Sequence, residues 1–465
     1  MREISRWRRT AAILSVLALA AAACGNGDDN GEDAPEPADD TTEEEPADDD
    51  AADEPADDAA PAEIATDFGV TEEPCDDAVN PDNGCIYLGI LSDLTQGPFA
   101  PLGGPITDGQ YAFWDRVNDN GGIGGYDIDA RTYTRDTLYD PQEHSALYRQ
   151  IEPDILALAQ TLGTPTTEAI LPDMDADDMI GGPASWWSGW HFEEQDKGLI
   201  VESGYSYCVE SMIGLDWYVE NREEIGTLAH VGYPGDYGGD SAAGAVAWAE
   251  ANGVDIADTI TTLPAGAVEN QDEAVGAILN SGADVVVIAT GPAEMAEIVG
   301  KVAASEANIQ FLGSVPTWNP ALLDSPAAPA LQAFFTHVAP WENFDGDSAA
   351  HDAMRESLDG ELPDNDGYTF GWIWSYPLLA ALEAAAENGD LTRAGLRSVT
   401  DGLEVDFEGS LPTTTLGGDP NENANRTAVI SQPDPEAPLG ITTLEANVTG
   451  PTADAYDYTE ACITF

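Results

Sequence analysis

Small hydroxyl residues and a glycine occupy one short stretch, residues 162–167 (LGTPTT), directly before a stretch predicted to be helical, residues 168–174. Hydroxyl groups and the free backbone N–H groups at a helix start can bind a carboxylate or another anion. The same residues could form a plain N-cap, which any loop before a helix can carry. The stretch therefore indicates either a binding loop for an oxygen-bearing ligand or an ordinary helix start.

Other patterns that could indicate catalysis or metal binding are incomplete. Gly239-Asp240-Ser241 resembles a hydrolase motif, but its serine needs a histidine partner. The five histidines are scattered, at 144, 191, 230, 337 and 351. Aspartates at 173, 175, 177 and 178 alternate as in a calcium loop, yet Asp178 replaces the tight-turn glycine and Ala184 the bidentate glutamate. We expect no catalytic site, no metal and no cofactor.

The elements that would position these residues begin at residue 86. An alternating apolar run predicts a buried strand over residues 86–91, and apolar residues at near-helical spacing (Ile106, Tyr111, Trp114 and Val117) predict a helix. A run of turn residues, 118–125, ends this helix, and residues 126–135 alternate like a second strand. The strand–helix–strand unit predicts a parallel sheet with a right-handed crossover.

The turn after the first predicted strand contains polar residues and a glycine. Ligands bind beyond the carboxyl ends of parallel strands, where helix N-termini present free N–H groups. We therefore expect Thr95, Gln96 and Gly97 at a ligand site.

Two blocks of this unit resemble the branched-chain amino acid-binding family. They are NDNGGIGGYDI, residues 118–128, and RDTLYDP, residues 135–141. The family comprises solute receptors of ABC importers with the type I periplasmic-binding fold. The resemblance implies an α/β protein of two lobes, each a mostly parallel sheet flanked by helices, joined by three hinge crossings. It continues more loosely to about Leu382.

The resemblance also implies where the lobes and the ligand loops lie. The solute-binding domain would span residues 74–465, with lobe one at 85–201 and 341–428 and lobe two at 202–340 and 429–465. In lobe one of the family, two loops donate hydrogen bonds to a ligand carboxylate from hydroxyl and backbone groups. The resemblance places these loops at Thr164 and Thr167 and at Ala184, Ser185 and Trp186.

In lobe two, the resemblance points to three further ligand loops. Tyr237 matches a family tyrosine that faces the cleft, and Thr290 and Gly291 match another ligand loop. Amino acid receptors place an acid near the position of Val315, so the usual partner of a ligand ammonium is missing there. Asp93 or Asp236 could replace it. If neither does, the ligand lacks a free amino group, and Trp186, Trp187 and Trp318 favour a flat or aromatic molecule.

The N-terminus has the features of a secretory signal. Four arginines precede the apolar run 11–23, which is too short to span a bilayer. The small residues before Cys24 resemble a bacterial lipobox, which implies residues 1–24 as a signal peptide and lipidation of Cys24; the alternative is an ordinary signal with an incidental cysteine. Residues 25–73, rich in Asp, Glu, Ala, Pro and Thr, are expected to form a disordered acidic linker.

The remaining four cysteines permit three disulfide connectivities. Cys75 and Cys85 enclose a strong turn sequence, which favours the pairs Cys75–Cys85 and Cys208–Cys462. No pair has the C-x-x-C spacing of a metal or redox site.

A formal net charge of −72 and only two lysines, Lys197 and Lys301, argue against nucleic acid or anionic lipid as a partner. The leading hypothesis is a monomeric receptor, secreted and lipid-anchored to the outer face of the bacterial cytoplasmic membrane. It would bind a small polar ligand (amino acid-like, amide or carboxylate) and deliver it to ABC permease subunits. The alternatives are a ligand sensor of the same fold and, less favoured, a secreted α/β enzyme.

Overall fold

The computed structural model describes residues 64–182 and 185–464. The signal peptide, Cys24 and most of the predicted linker lie outside these residues. From residue 64 to residue 200, strands and helices alternate in the order β1 (Ala65–Thr66), β2 (Val70–Thr71), β3 (Gly84–Ser92), α1 (Ala100–Asp119), β4 (Tyr126–Asp136), α2 (Pro141–Ile151), β5 (Ala157–Thr161), α3 (Thr164–Glu168), α4 (Leu171–Ala176) and α5 (Glu193–Asp196).

The middle of the chain continues this alternation. Its elements are α6 (Tyr207–Asn221), β6 (Thr227–Gly232), α7 (Asp236–Asn252), β7 (Asp255–Thr261), α8 (Asp272–Ser281), β8 (Val285–Ala289), α9 (Pro292–Ala304), β9 (Gln310–Gly313), α10 (Ala328–Phe334) and β10 (Phe335–Ala339).

The last part of the chain is helical at first and ends in strands. Its elements are α11 (Ala349–Ser357), α12 (Gly367–Trp374), α13 (Tyr376–Glu387), β11 (Asp390–Leu391), α14 (Arg393–Ser398), β12 (Glu404–Val405), β13 (Thr414–Thr415), α15 (Pro420–Asn423), β14 (Ala428–Pro433), β15 (Ile441–Val448) and α16 (Pro451–Ala455).

Two sheets organise these elements into two lobes. In the first, β3 pairs in parallel with β4 and β5, and β2 adds an antiparallel edge. The second has the order β15-β14-β10-β9-β8-β6-β7, parallel from β10 to β7 and antiparallel at β14 and β15. The two-lobed α/β fold predicted from the sequence is therefore confirmed.

Three chain segments pass between the sheets, namely residues 201–206, 340–348 and 416–427. The strands of the seven-stranded sheet all come from residues 227–339 and 428–448. The exact lobe boundaries proposed from the sequence stay a prediction.

The start of the described chain differs from the expected linker. Residues 64–73 contain β1, which pairs with β11, and β2, which pairs with β3 through Val70 and Ile86. Ordered structure therefore begins before residue 74. The reason is that Ile64 and Val70 are partly buried against the core of lobe one, which an all-polar linker could not supply.

Helices α1 and α12 of lobe one pack unusually close together. A side chain at Gly109 would lie 2.1 Å from the backbone oxygen of Tyr368, and one at Gly371 would clash with that of Ile106. Because both positions lack a side chain, the helices bring their apolar faces together, and their ends border the same space between the lobes.

The structure joins Cys75 to Cys85 and Cys208 to Cys462, the pairings that the turn sequence favoured. The second bond fastens the C-terminal tail to α6. In the described part of the chain, no helix has the length and apolar character needed to cross a membrane.

Candidate functional site

A small cavity lies between the two lobes, at the carboxyl ends of their strands. Its volume is about 40 Å³, which is room for one or two waters, so the cleft is closed in this structure. Aromatic and aliphatic side chains dominate its wall. The lining residues are Phe99, Leu102, Ile106, Tyr139, Leu162, Gly163, Ser185, Trp186, Tyr207, Asp236, Tyr237, Pro316, Phe370 and Trp374.

Polar groups converge at one end of this cavity, where Ser185 and Asp236 line the wall and Thr164 lies directly behind them. The Thr164 hydroxyl lies 2.5 Å from the Ser185 hydroxyl and donates a hydrogen bond to a carboxylate oxygen of Asp236. Thr164 is fully buried, and Ser185 and Asp236 are 6% and 7% exposed. Thr164 and Ser185 belong to lobe one and Asp236 begins α7 of lobe two, so the hydrogen bond joins the lobes across the cleft.

The predicted helix start differs from the observed one. Helix α3 begins at Thr164 rather than at residue 168, and it has only five residues. Gly163 precedes it with a φ of +98°, and a side chain there would lie 2.4 Å from the ring of Tyr139. The glycine therefore lets Tyr139 cover this loop, and hydroxyl groups rather than a long helix dipole form the polar end of the cavity.

Among the predicted tryptophans, Trp186 is the one that lines the cavity. Its ring centroid lies 5.3 Å from that of Trp374, 5.9 Å from that of Tyr207 and 6.0 Å from that of Phe370. Its indole N–H donates to the Ser203 carbonyl at 2.7 Å, which fixes the ring. Trp187 instead packs in the core of lobe one.

Tyr237 lines the cavity from lobe two, and residues behind it hold its ring. Its hydroxyl bonds the Thr290 carbonyl at 3.1 Å and also meets the Ser314 hydroxyl. The Gly291 N–H donates to Tyr233, whose own hydroxyl donates to Glu294 at 2.7 Å. The predicted loop at Thr290 and Gly291 thus lies one layer behind the cavity wall.

Val315 stands near the position where amino acid receptors of the family have an acid. It is buried, and its backbone is hydrogen-bonded to an acidic side chain from another element. Its backbone N–H donates to Glu210 of α6 at 2.9 Å, and the Tyr205 hydroxyl donates to the same oxygen at 3.0 Å. Burial raises the pKa of Glu210 to about 8. Glu210 does not line the cavity, whereas Pro316, next to Val315, does.

Asp236 is the acid that lines the cavity. Burial raises its pKa, while the bond from Thr164 lowers it. Asp93, the other acid considered from the sequence, accepts the backbone N–H groups of Gly97 and Phe99 at 2.8 and 2.9 Å. Asp93 therefore shapes the loop before α1.

Several predicted ligand residues lie elsewhere. Thr95 and Gln96 are exposed, and the Thr95 hydroxyl donates to Asp136 at 2.5 Å; neither they nor Gly97 line the cavity. The Thr167 hydroxyl bonds the Thr161 carbonyl at 2.7 Å inside lobe one. Trp318 stacks on Phe335 in the core of lobe two. Ala184 lies outside the described residues.

Most residues of the apolar cavity wall were not predicted from the sequence. Phe99, Leu102 and Ile106 follow one another at spacings of three and four, a visible helical pattern. An apolar helix face usually packs in a core, so this pattern alone did not indicate a cleft. No signal in the sequence assigned Tyr207, Phe370 or Trp374 to it.

The serine and histidine that resemble catalytic groups lie in the interior of lobe two. Ser241 and His230 are 3.3 Å apart but 0% and 2% exposed. Burial lowers the pKa of His230 to about 3. Among the described residues, no group of three or more potential ligands could hold a metal ion.

The two-lobed fold and its cleft can be compared with those of known proteins. A family model described as "Periplasmic binding protein" matches residues 86–435. None of the curated proteins compared with the chain matches it.

Solved structures resemble the whole two-lobed body. A fatty acid ABC transporter substrate-binding protein from Thermomonospora curvata has 27% identity and a TM-score of 0.74, covering 85% of this chain and 97% of its own. A branched chain amino acid ABC transporter protein from Thermus thermophilus with bound valine has 15% identity and a TM-score of 0.66 over 80% and 98%. A solute binding protein from Rhodopseudomonas palustris HaA2 in complex with p-hydroxybenzoic acid has 15% identity and a TM-score of 0.65 over 79% and 98%.

Proposed function

The chain belongs to the periplasmic binding protein family, and from this premise we propose that it is the extracytoplasmic receptor of an ABC importer for a small carboxylate with an apolar body. The observation that carries the proposal is the cleft itself. Aromatic and aliphatic side chains form its wall, and the Ser185 hydroxyl lines one end, bonded to the Thr164 hydroxyl behind it. Such a wall stabilises an apolar ligand body by about 25 cal/mol per Å² removed from water.

Because the cleft is closed in this structure, a ligand can enter only when the lobes separate. A cavity of about 40 Å³ cannot hold a molecule with a benzene ring. Opening would break the bond between Thr164 and Asp236, and a ligand carboxylate could then accept hydrogen bonds from Thr164 and Ser185. Closure by rotation of two rigid lobes about the three crossings fits this requirement.

Three of the structurally similar proteins support the ligand class. One is a fatty acid ABC transporter substrate-binding protein, one has bound valine and one is in complex with p-hydroxybenzoic acid, and these three molecules share a carboxylate and an apolar part.

A second candidate ligand is an apolar amino acid, and Asp236 favours it. An ionised Asp236 would repel a ligand carboxylate nearby, but it would pair with a ligand ammonium. A protonated Asp236 would instead donate a hydrogen bond to a plain carboxylate. Burial raises the pKa of Asp236, which shifts the balance toward the protonated state.

Titration calorimetry tests the ligand class. The purified protein would be titrated with octanoate, benzoate, valine and leucine, and with benzamide as a neutral isostere of benzoate. We expect micromolar or tighter binding of at least one carboxylate and much weaker binding of benzamide. Equal affinity for benzoate and benzamide, or binding of none of the carboxylates, would contradict the proposal.

The N-terminal residues would place the receptor at the outer face of the cytoplasmic membrane. Residues 1–24 would act as a signal peptide, and lipid on Cys24 would anchor a monomeric receptor beside its permease subunits through the acidic linker. Two or more acyl chains are needed for stable anchoring. Growth with a labelled fatty acid should label the protein, and Cys24→Ser should abolish the label and release the protein from membranes. Loss of uptake of the bound ligand on gene deletion would separate transport from sensing.

A further inference from the structure

Two tyrosines in the wall of the cleft cavity were not among the ligand residues predicted from the sequence. They are Tyr139, in the loop between β4 and α2, and Tyr207, the first residue of α6. Tyr139 belongs to lobe one and Tyr207 to lobe two, so each lobe brings one phenol ring to the cavity.

The hydroxyl groups of these two tyrosines have no hydrogen-bond partner in the part of the chain that the structure describes. Neither hydroxyl is among the fully enclosed polar atoms without a partner, so both remain accessible to water, and both residues line the cavity. The third tyrosine of the wall differs, because the Tyr237 hydroxyl bonds the Thr290 carbonyl at 3.1 Å. Tyr139 and Tyr207 therefore keep hydroxyl groups that a ligand can use.

A strained turn holds Tyr139 at the cleft. Leu138 and Tyr139 both have a left-handed backbone, with φ of +55° and +56°, and Asp136 holds the turn by accepting the Leu138 N–H at 3.2 Å. Such conformations are uncommon for residues other than glycine and cluster at ligand sites. The Tyr139 ring lies against Gly163 and packs edge-on against Phe99, with centroids 5.0 Å apart.

Tyr207 is held by contacts with both lobes. It directly follows the first crossing segment, residues 201–206, and its backbone N–H donates to the Trp186 carbonyl of lobe one at 2.8 Å. Its ring centroid lies 5.9 Å from that of Trp186 and 4.7 Å from that of Tyr237. The ring is therefore fixed in the closed cleft, while its hydroxyl stays unbonded.

Both phenols keep their protons at neutral pH. Burial raises the pKa of Tyr139 and of Tyr207 well above the ordinary value, and the nearby charge of Asp236 raises each pKa further. Tyr139 also lies near enough to Tyr207 to act on its pKa. The two hydroxyl groups are therefore donors, and they belong to the same region of the cavity as Asp236.

We propose that Tyr139 and Tyr207 are further ligand-binding residues, whose hydroxyl groups donate hydrogen bonds to the ligand carboxylate, one from each lobe. This inference rests on the proposed function, because it takes the ligand to be a carboxylate. Among the described residues that line the cavity there is no lysine or arginine, so hydroxyl donors have to replace a cation. A carboxylate bonded by both tyrosines would also join the two lobes.

Calorimetry compares the full chain with Tyr139→Phe and Tyr207→Phe, and its probes are octanoate, benzoate, valine and leucine. Each variant should weaken every probe that binds the unsubstituted protein by about tenfold or more, since it removes a hydrogen bond to a charged group. The preference for benzoate over benzamide should shrink for the same reason. The thermal unfolding midpoint should not fall, because neither hydroxyl has a partner among the described residues to lose.

Tyr111→Phe is the matched control. The Tyr111 hydroxyl bonds Thr134 at 2.8 Å within lobe one, and Tyr111 does not line the cavity. This variant should lower the unfolding midpoint slightly and change the affinities less than twofold. Unchanged affinity in Tyr139→Phe or in Tyr207→Phe would overturn the inference for that tyrosine and leave the proposed function standing. An unsubstituted protein that binds none of the four carboxylates would overturn both.

Discussion

The Thr164 hydroxyl of lobe one donates a hydrogen bond to Asp236 of lobe two in the closed cleft. Thr164 also bonds Ser185, whose hydroxyl accepts the indole N–H of Trp190 at 3.0 Å. Both residues are buried, so water does not compete for the bond while the lobes are together. The groups that we propose to bind the ligand therefore also join the two lobes in the closed form, and ligand binding would replace this bond.

Replacing the Thr164 hydroxyl by a methyl group should favour the open form. Thr164→Val keeps the shape of the side chain but leaves Asp236 without its donor from lobe one, and an unpaired buried carboxylate is costly. We expect a larger radius of gyration than that of the unchanged protein, measured by small-angle scattering without ligand.

Thr167→Val is the matched control, because the Thr167 hydroxyl bonds Thr161 within lobe one. It should lower the free energy of unfolding by about 1 kcal/mol without changing the scattering. An equal change of radius in both variants would show that the effect is not a change in closure.

Removing the charge of Asp236 should separate the two ligand candidates. Asp236→Asn no longer repels a ligand carboxylate and no longer attracts an ammonium. We expect about tenfold tighter binding of benzoate or octanoate, ~1.4 kcal/mol, and weaker binding of valine or leucine, by calorimetry.

Glu168→Gln provides the control for that change. Burial raises the pKa of Glu168, and the nearby charge of Asp236 raises it further, but Glu168 does not line the cavity. It should change affinities by less than threefold. If Asp236→Asn leaves every affinity unchanged, Asp236 does not contact the ligand.

The parts of the fold that depend on local patterns were predictable. Strand β3, helix α1 and strand β4 each carry their own periodicity, and the structure has all three. The motif residues that suggested the family serve this local structure. Asn118 bonds both backbone groups of Ile128, at 2.7 and 2.9 Å, and Asp136 accepts the Leu94 N–H at 3.0 Å.

The site was predictable only in part, because it forms where two distant segments meet. Thr164, Ser185, Trp186 and Tyr237 could be assigned from loops of the family. The bond between Thr164 and Asp236 spans 72 positions and depends on how the lobes close. Trp318 was predicted near the ligand because it follows a ligand loop of the family. Its position in the sequence gave no information on its stacking contact with Phe335 in the core of lobe two.

The two disulfides should contribute unequally to stability. The Cys208–Cys462 bond joins residues 254 positions apart, and the Cys75–Cys85 bond joins residues 10 apart. Because a longer loop restricts the unfolded chain more, Cys208→Ser with Cys462→Ser should lose about 5 kcal/mol of unfolding free energy and Cys75→Ser with Cys85→Ser about 3. Denaturant unfolding measures both, and a larger loss for the short loop would contradict the expectation.

Buried carboxyl groups should make the protein less stable as the pH rises above about 6.5. Burial raises the pKa of Asp196, Asp240 and Asp366 to about 7 and that of Glu210 to about 8. The folded state therefore keeps protons that the unfolded state has released above its ordinary carboxyl pKa. This stabilisation is present at low pH and is lost as the pH rises through 7 to 8.

Buried histidines oppose this effect only at lower pH. Burial lowers the pKa of four of them to about 3 or 4, so the unfolded state binds more protons until the ordinary histidine pKa of 6.5 is passed; they are His144, His191, His230 and His337. Between about pH 5 and 6.5 these histidines therefore offset part of the carboxyl effect. Above that range the carboxyls alone titrate, at about 1.4 kcal/mol per pH unit for each proton released.

Thermal unfolding between pH 5 and pH 9 measures this balance. The midpoint should fall more steeply above about pH 6.5 than below it. Glu210→Gln keeps the acceptor for Val315 and Tyr205 but cannot titrate, so it should reduce the fall, most clearly near pH 8. Glu193→Gln, at an exposed position, should leave the profile unchanged. A midpoint that rises from pH 6.5 to pH 8 would show that the buried carboxyls are not protonated in the folded state.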